Sequence, residues 1–314
     1  MTAKYRNHLP QLDNRIFLLD GGLESTLIFL DGVELPLFAA FDLLSTREGE
    51  QKLEAYFEPY VDIARKSRRG LILETPTWRA SKAWGQQLGY SEAELADANR
   101  RAVALMVRIR ERHETPETPM VISGCIGPKG DGYTPSGELT IEEARAYHQS
   151  QIDTFRDTAA DLVAALTLNT VEEAIGIVQA AVSAGMPSVV SFTTETDGRL
   201  PSGVSLGEAI RTVDEVTDAA PAYYMINCAH PEHFSKGLEP GADWTRRIRG
   251  LRANASRKSH QELDNSTELD DGNPAELGEL YASLRERFDH LTLLGGCCGT
   301  DVRHIQAIDT CCRH

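Results

Sequence analysis

Cys228, Cys297 and Cys298 are the residues of this chain whose type and placement point most directly to chemistry. Cys228 directly follows the apolar run AYYMIN, and the Cys297-Cys298 pair directly follows LTLLGG. If both runs are parallel strands ending on one rim, the three thiols converge there. Three thiolates suit zinc, which prefers tetrahedral sulfur and nitrogen ligands, and three protein ligands leave a fourth position for substrate. Buried cysteines also act as small hydrophobes, and a vicinal pair can be structural or redox-active. Placement at two separate strand ends favours the metal reading for these three. Gly295 and Gly296 are expected to allow an unusual turn before the pair, and Gly299, Thr300 and Asp301 to open a helix after it. Cys125 follows a strand without a paired context and is assigned to packing. Cys311 and Cys312 lie at the C-terminal end, where fraying is expected.

The elements that must position these thiols are legible as alternation. Short apolar, β-branched runs at 16–20, 71–74, 120–124, 161–166, 188–192, 222–227, 248–254 and 291–295 read as strands. Segments of helical period lie between them. Leu53, Tyr56, Phe57, Tyr60, Val61 and Ala64 draw one apolar face; Ile175, Val178 and Val182 draw another, and Leu277, Leu280, Tyr281, Leu284 and Phe288 a third. Asn273, Pro274 and Glu276 supply the N-cap, first turn and capping box of that last helix. The sixth and seventh connections read poorly as helices. Strands alternating with helices predict an α/β fold, a (β/α)8 TIM barrel, spanning residues 1–314 as one domain. Residues 193–203 read as a polar mouth loop after the fifth strand, and residues 259–273 as an acidic, solvated irregular segment.

Composition narrows the partners. A formal net charge of -15 argues against nucleic acid or an anionic membrane surface. No apolar run approaches the roughly 20 residues of a membrane span, and the N-terminal segment does not resemble a signal peptide. A cytoplasmic enzyme acting on small molecules is expected, its six cysteines too sparse for a disulfide framework.

Motifs along nearly the whole length bring a family into view: DGGLEST at 20–26, ETPTWRAS at 74–81, SGCIGP at 123–128, INCAHP at 226–231, ANAS at 253–256 and GGCCGT at 295–300. With these the chain resembles the homocysteine S-methyltransferases. The resemblance implies a (β/α)8 barrel in which Cys228, Cys297 and Cys298 bind Zn2+ and homocysteine sulfur takes the open position. It implies methyl transfer from a sulfonium donor, S-methylmethionine or S-adenosylmethionine, to L-homocysteine, forming methionine. By the same resemblance Asp20 would hold the amino acid end of homocysteine, with Gly21 and Gly22 letting the backbone approach; otherwise Asp20 is a helix cap. Glu24, Asn227, Asn254 and Ser256 are further mouth-lining candidates, and Trp78 aligns with an aromatic position near the donor, where its ring could attract a cation.

One position departs from the pattern. Relatives carry a glutamate followed by threonine at the end of the fourth strand, where the acid grips the substrate amino group; this chain has AALTLNT, with Leu166 there. Glu24, Glu74 or Glu195 could supply the charge from another loop. A different small thiol or a selenol is the alternative acceptor. A zinc hydrolase is disfavoured because His230, His260 and His304 form no obvious ligand set, and a redox pair or structural zinc is the non-catalytic alternative. No glycine-rich nucleotide fingerprint is evident, so S-adenosylmethionine, if used, must bind at the barrel mouth. S-methylmethionine fits a small site more simply. The mouth motifs do not closely resemble the betaine-dependent branch, and no cobalamin module is evident, which argues against methylcobalamin.

Overall fold

The computed structural model describes residues 2–135, 137 and 139–313. Eight parallel strands close into a barrel in sequence order: β1 Phe17–Leu18, β2 Gly70–Glu74, β3 Met120–Ile126, β4 Leu162–Leu168, β5 Ser188–Phe192, β6 Tyr223–Asn227, β7 Ile248–Ala253 and β8 Leu293–Gly296. β1 pairs with both β2 and β8, which completes the ring. Closure leaves no unpaired sheet edge.

The strands are buried on both faces, as parallel sheets require. Inward side chains, among them Phe17, Ile72, Val121, Cys125, Leu162, Leu166, Val189, Met225 and Leu293, fill the barrel as one cluster. Outward residues meet the helices: Leu53, Phe57, Tyr60 and Val61 on Arg47–Ser67, and Ile175 and Val178 on Val171–Ala184, join the larger outer core. Val182 is 59% exposed, so it does not belong to the apolar face drawn from its spacing. Ala180, Ala181 and Ala184 continue the packed face to the end of the helix, which Gly185 caps in the left-handed region.

Several expectations need correction. Cys125 lies within β3, not after it, because β3 runs two residues further than the apolar run suggests. β1 is only two residues long, although Leu19 and Asp20 continue its backbone hydrogen bonds to β8. Asn273 does cap Pro274–Arg287, accepting from the backbone of Ala275 and Glu276, but Glu276 pairs with Arg257 and returns no capping bond. The sixth connection holds only the one-turn helices Pro231–Phe234 and Asp243–Arg246, whereas the seventh carries the full helix Pro274–Arg287. Residues 259–273 are not simply solvated: a capped turn, His260–Asp264, starts the segment, and Leu263 and Leu269 face the mouth. The C-terminal end is also better held than expected. Val302–Cys311 is helical, Cys312 is buried, and its carbonyl accepts from Arg69 and Arg285. Among the described residues no helix is long and apolar enough to cross a membrane.

Candidate active site and metal centre

The C-terminal ends of β6 and β8 bring Cys228, Cys297 and Cys298 together with all three Sγ atoms within 4.8 Å of one another. They border a cavity of about 350 Å³. β6 ends abruptly because Cys228 takes a left-handed φ of 53°, which costs a non-glycine residue energy and turns its sulfur from the strand toward the mouth. Gly295 and Gly296 do not turn the chain as expected; they lie in or at the end of extended β8 without positive φ, and Gly299 at φ 78° makes the turn. What Gly296 provides is space, since a Cβ there would sit 2.0 Å from Thr300 Oγ1.

A second left-handed residue supports Cys228. β4 bulges between Ala165 and Leu168, and Thr167 sits there at φ 63°. Asn227 Oδ1 accepts from the Thr167 amide at 2.9 Å and from Ser191 Oγ at 2.6 Å, and its Nδ2 donates to Thr167 Oγ1 at 2.8 Å. Thr167 Oγ1 then donates to Cys228 Sγ at 3.8 Å, and Asn227 Nδ2 reaches Cys297 Sγ at 4.0 Å. His260 accounts for the Cys228 carbonyl, its Nε2 lying 2.6 Å away, and Tyr133 stacks on the imidazole with ring centroids 4.1 Å apart. The Tyr133 hydroxyl is 3.7 Å from Cys298 Sγ.

The three sulfurs compete for protons. Hydrogen bonds from Cys297 and Cys298 hold the Cys228 thiol well below its usual range, while sharing with Cys228 pushes Cys297 up to about 12 and Cys298 well above the usual thiol value. A clustered sulfur donor set of this kind, readily holding one anionic sulfur, suits a soft-tolerant cation. Among the described residues it is the one cluster of histidine, cysteine or acidic side chains placed to hold a metal ion.

The homocysteine S-methyltransferase family model matches residues 17–312. The chain belongs to that family. Homocysteine S-methyltransferase 3 of Zea mays is 25% identical over 320 residues, covering 93% of this chain and 88% of that protein. Methionine synthase of Mycobacterium leprae (strain TN) is 27% identical over 235 residues, covering 68% of this chain and 18% of that protein. The fold is similar to the metallated form of the homocysteine methyltransferase MmuM from Escherichia coli, with TM-score 0.73, 20% identity and coverage of 96% and 98% of the two chains.

This member of the homocysteine S-methyltransferase family surrounds its cysteines with a buried charge network that the sequence motifs do not reveal. Arg252, at the end of β7, pairs with Asp20 at 2.8 Å and Glu74 at 3.0 Å, and donates to the carbonyls of Gly296 and Gly21. Tyr56 donates to Asp20 at 3.0 Å, and Ser123 to Glu74 at 2.6 Å. Burial pushes both carboxyls above their ordinary values, with Arg252 opposing the shift. The available signal was an arginine closing an apolar strand, since such a buried cation requires a partner. Asp20 is therefore neither free nor a helix cap; Gly22 occupies the N-cap position of the turn that follows. A Cβ on Gly22 would lie 2.5 Å from the Cys297 carbonyl oxygen, so this glycine lets the segment after β1 close on the thiol pair.

The remaining candidates divide. Gly21, Gly22, Glu24, Asn227 and Ser256 line the cavity; Asn254 is buried outside the set of lining residues, its amide donating to Ala229. Trp78 lines it too, but the Arg79 guanidinium lies 4.1 Å from its ring centroid and its indole N–H donates to the Leu166 carbonyl at 3.3 Å. Leu166 presents an apolar wall, as its position implied. Glu74 is committed to Arg252, and Glu195 lies 3.2 Å from His260 and outside the lining.

Glu24 is half-buried and forms no ion pair among the described residues; desolvation pushes its carboxyl up to about 7. Because the folded value lies above the unfolded one, the folded state retains a proton that the unfolded state has lost, and stability falls as pH rises from about 4.5 to 7. In the metal-free protein Glu24→Gln should match the parent near pH 4 and exceed it by ~1–3 kcal/mol at pH 8, a difference discounted for partial exposure. Urea titrations at the two pH values measure it; a gap that is equal at both would refute the assignment.

Proposed function

We propose that this chain transfers a methyl group from a sulfonium donor, S-methylmethionine or S-adenosylmethionine, to the sulfur of L-homocysteine, forming methionine, with Zn2+ held by Cys228, Cys297 and Cys298. The observation that carries this reading is the convergence of three sulfurs within 4.8 Å on the wall of a cavity. Family membership supports the acceptor, and the soft donor set supports the metal. Zinc bound to three cysteinates would supply the Lewis acidity that favours the thiolate form of an incoming thiol, whose pKa is otherwise about 8.5.

The protein's own residues then have separable tasks. The Thr167 hydroxyl and Asn227 amide donate toward two of the sulfurs and fix their directions. Gly21 and Gly22 allow backbone to approach the acceptor, and the apolar wall at Leu166 and Trp78 keeps water from the reacting atoms. The acceptor sulfur attacks the donor methyl carbon; a new C–S bond forms as the C–S bond to the sulfonium breaks, its electron pair staying with the donor sulfur. Both products are neutral thioethers at the reacting sulfurs, and the acceptor's proton has already passed to solvent.

Purified protein should contain about one zinc per chain and form methionine from homocysteine with one of these donors. Stripping the metal with a chelator should abolish turnover while leaving far-ultraviolet circular dichroism unchanged, because the barrel closes through its own strand pairing. Methyl transfer to another thiol or a selenol but never to homocysteine would defeat the acceptor assignment; collapse of the fold on chelation would make the metal structural.

A further inference from the structure

We infer that Glu24 receives the ammonium group of the acceptor, so that preference for an amino-thiol over its deamino counterpart resides in the segment after β1. This deepens the acceptor reading above and rests on it. An acceptor held through its sulfur at the cysteine cluster carries its ammonium four bonds away, roughly 4–5 Å along the chain. An ammonium leaving water for such a cavity requires an uncommitted carboxylate.

The cavity's acidic residues are Asp20, Glu24, Glu74, Asp131, Glu268 and Asp270. Asp20 and Glu74 are both held by Arg252. Asp131 accepts from the amides of Tyr133 and Thr134 and so shapes its own loop. Asp270 accepts from Ser256 and pairs with Lys258. Asp131 forms no ion pair among the described residues but is committed to its own loop; of the other two without one, Glu24 and Glu268, Glu268 is exposed on the outer segment. Glu24 lines the cavity two residues after Gly22, where an added Cβ would meet the Cys297 carbonyl oxygen at 2.5 Å. Of the two guanidiniums lining the same cavity, Arg252 is taken by Asp20 and Glu74, and Arg79 is packed on Trp78 and Trp84 and donates to the Gly130 carbonyl. At the end of β4 the wall is Leu166, which offers an ammonium nothing. A half-buried carboxylate without a direct ion pair is a cost to the fold, and an arriving ammonium would offset it.

The test uses the zinc-loaded protein with L-homocysteine and with 4-mercaptobutyrate, which keeps the thiol and carboxylate but lacks the amine. Glu24→Gln should raise the KM for homocysteine and its calorimetric Kd without donor by about 10–100-fold, the range of a lost charged hydrogen bond. Its kcat should stay within about threefold, and kcat/KM for 4-mercaptobutyrate within about twofold of the parent. Glu24→Asp should recover part of the homocysteine affinity. Unchanged homocysteine KM and Kd in Glu24→Gln would overturn the inference, as would equal losses on both acceptors or a rise confined to the donor KM. If the parent protein itself makes no methionine from homocysteine, the acceptor reading fails first, which separates the two failures.

Discussion

Replacing Cys298 with alanine should reduce bound zinc from about one per chain to near zero and lower methyl transfer on the order of 10³-fold or more. The expected size follows from what is removed. Losing a group that merely orients a metal ligand typically costs 10–100-fold, and losing one of three ligands costs more. The remaining sulfurs, Cys228 and Cys297, come from different strands and cannot by themselves enforce a tetrahedral site. Cys125→Ala is the informative control. Its side chain packs in the barrel interior and borders the same cavity, but it lies outside the three-sulfur cluster, and burial pushes its thiol well above its usual range. That variant should keep its zinc and lose only ~1–2 kcal/mol of stability from a small cavity. Metal analysis by atomic emission together with the methyl-transfer assay decides the matter. Full zinc occupancy in Cys298→Ala, or zinc loss in Cys125→Ala, would contradict the ligand set.

The second large effect concerns the fold itself. Arg252→Met should destabilise the protein by ~3–5 kcal/mol, because it leaves the buried carboxylates of Asp20 and Glu74 without their shared cation. For a chain of this size that corresponds to a fall in Tm of roughly 4–8 °C. The deficit should depend on pH with a defined sign. Without Arg252 both carboxyls, already raised by burial, rise further. The folded variant would then hold protons that its unfolded state releases, so its instability grows as pH rises above about 4 and shrinks as pH falls toward that value. Thermal melts of parent and variant between pH 5 and pH 8 test this; a deficit that widens on acidification would refute the ion-pair account. Metal affinity should weaken in the same variant, since Arg252 also donates to the Gly296 carbonyl beside Cys297.

The buried arginine explains why the centre is precise without many residues on regular elements. Asp20, Glu74 and Arg252 lie at or just beyond the ends of β1, β2 and β7, so one cation ties distant parts of the rim together. Asn227 does the equivalent for β4, β5 and β6 through Thr167 and Ser191. The left-handed backbone at Thr167 and Cys228 is held by these bonds, a local cost offset by the surrounding network.

Much of this architecture was written in order and spacing. Alternating apolar runs and helical faces specify parallel βα units, and that periodicity is a local property that a chain must display wherever a strand is buried on both sides. Cysteines directly after two such runs could be assigned to one rim, because parallel strands in a barrel all end on the same side. Tertiary structure alone decided which polar groups are free. Asp20 and Glu74 look as available as Glu24 when read along the chain, yet Arg252, 232 positions beyond Asp20 by subtraction of the residue numbers, consumes both. Likewise Trp78 has the composition of a cation-binding face, but the neighbouring Arg79 folds back onto it. Hydrophobic period is set by local geometry and survives in sequence; the pairing of charges is set by distances across the closed barrel, to which no local pattern gives access.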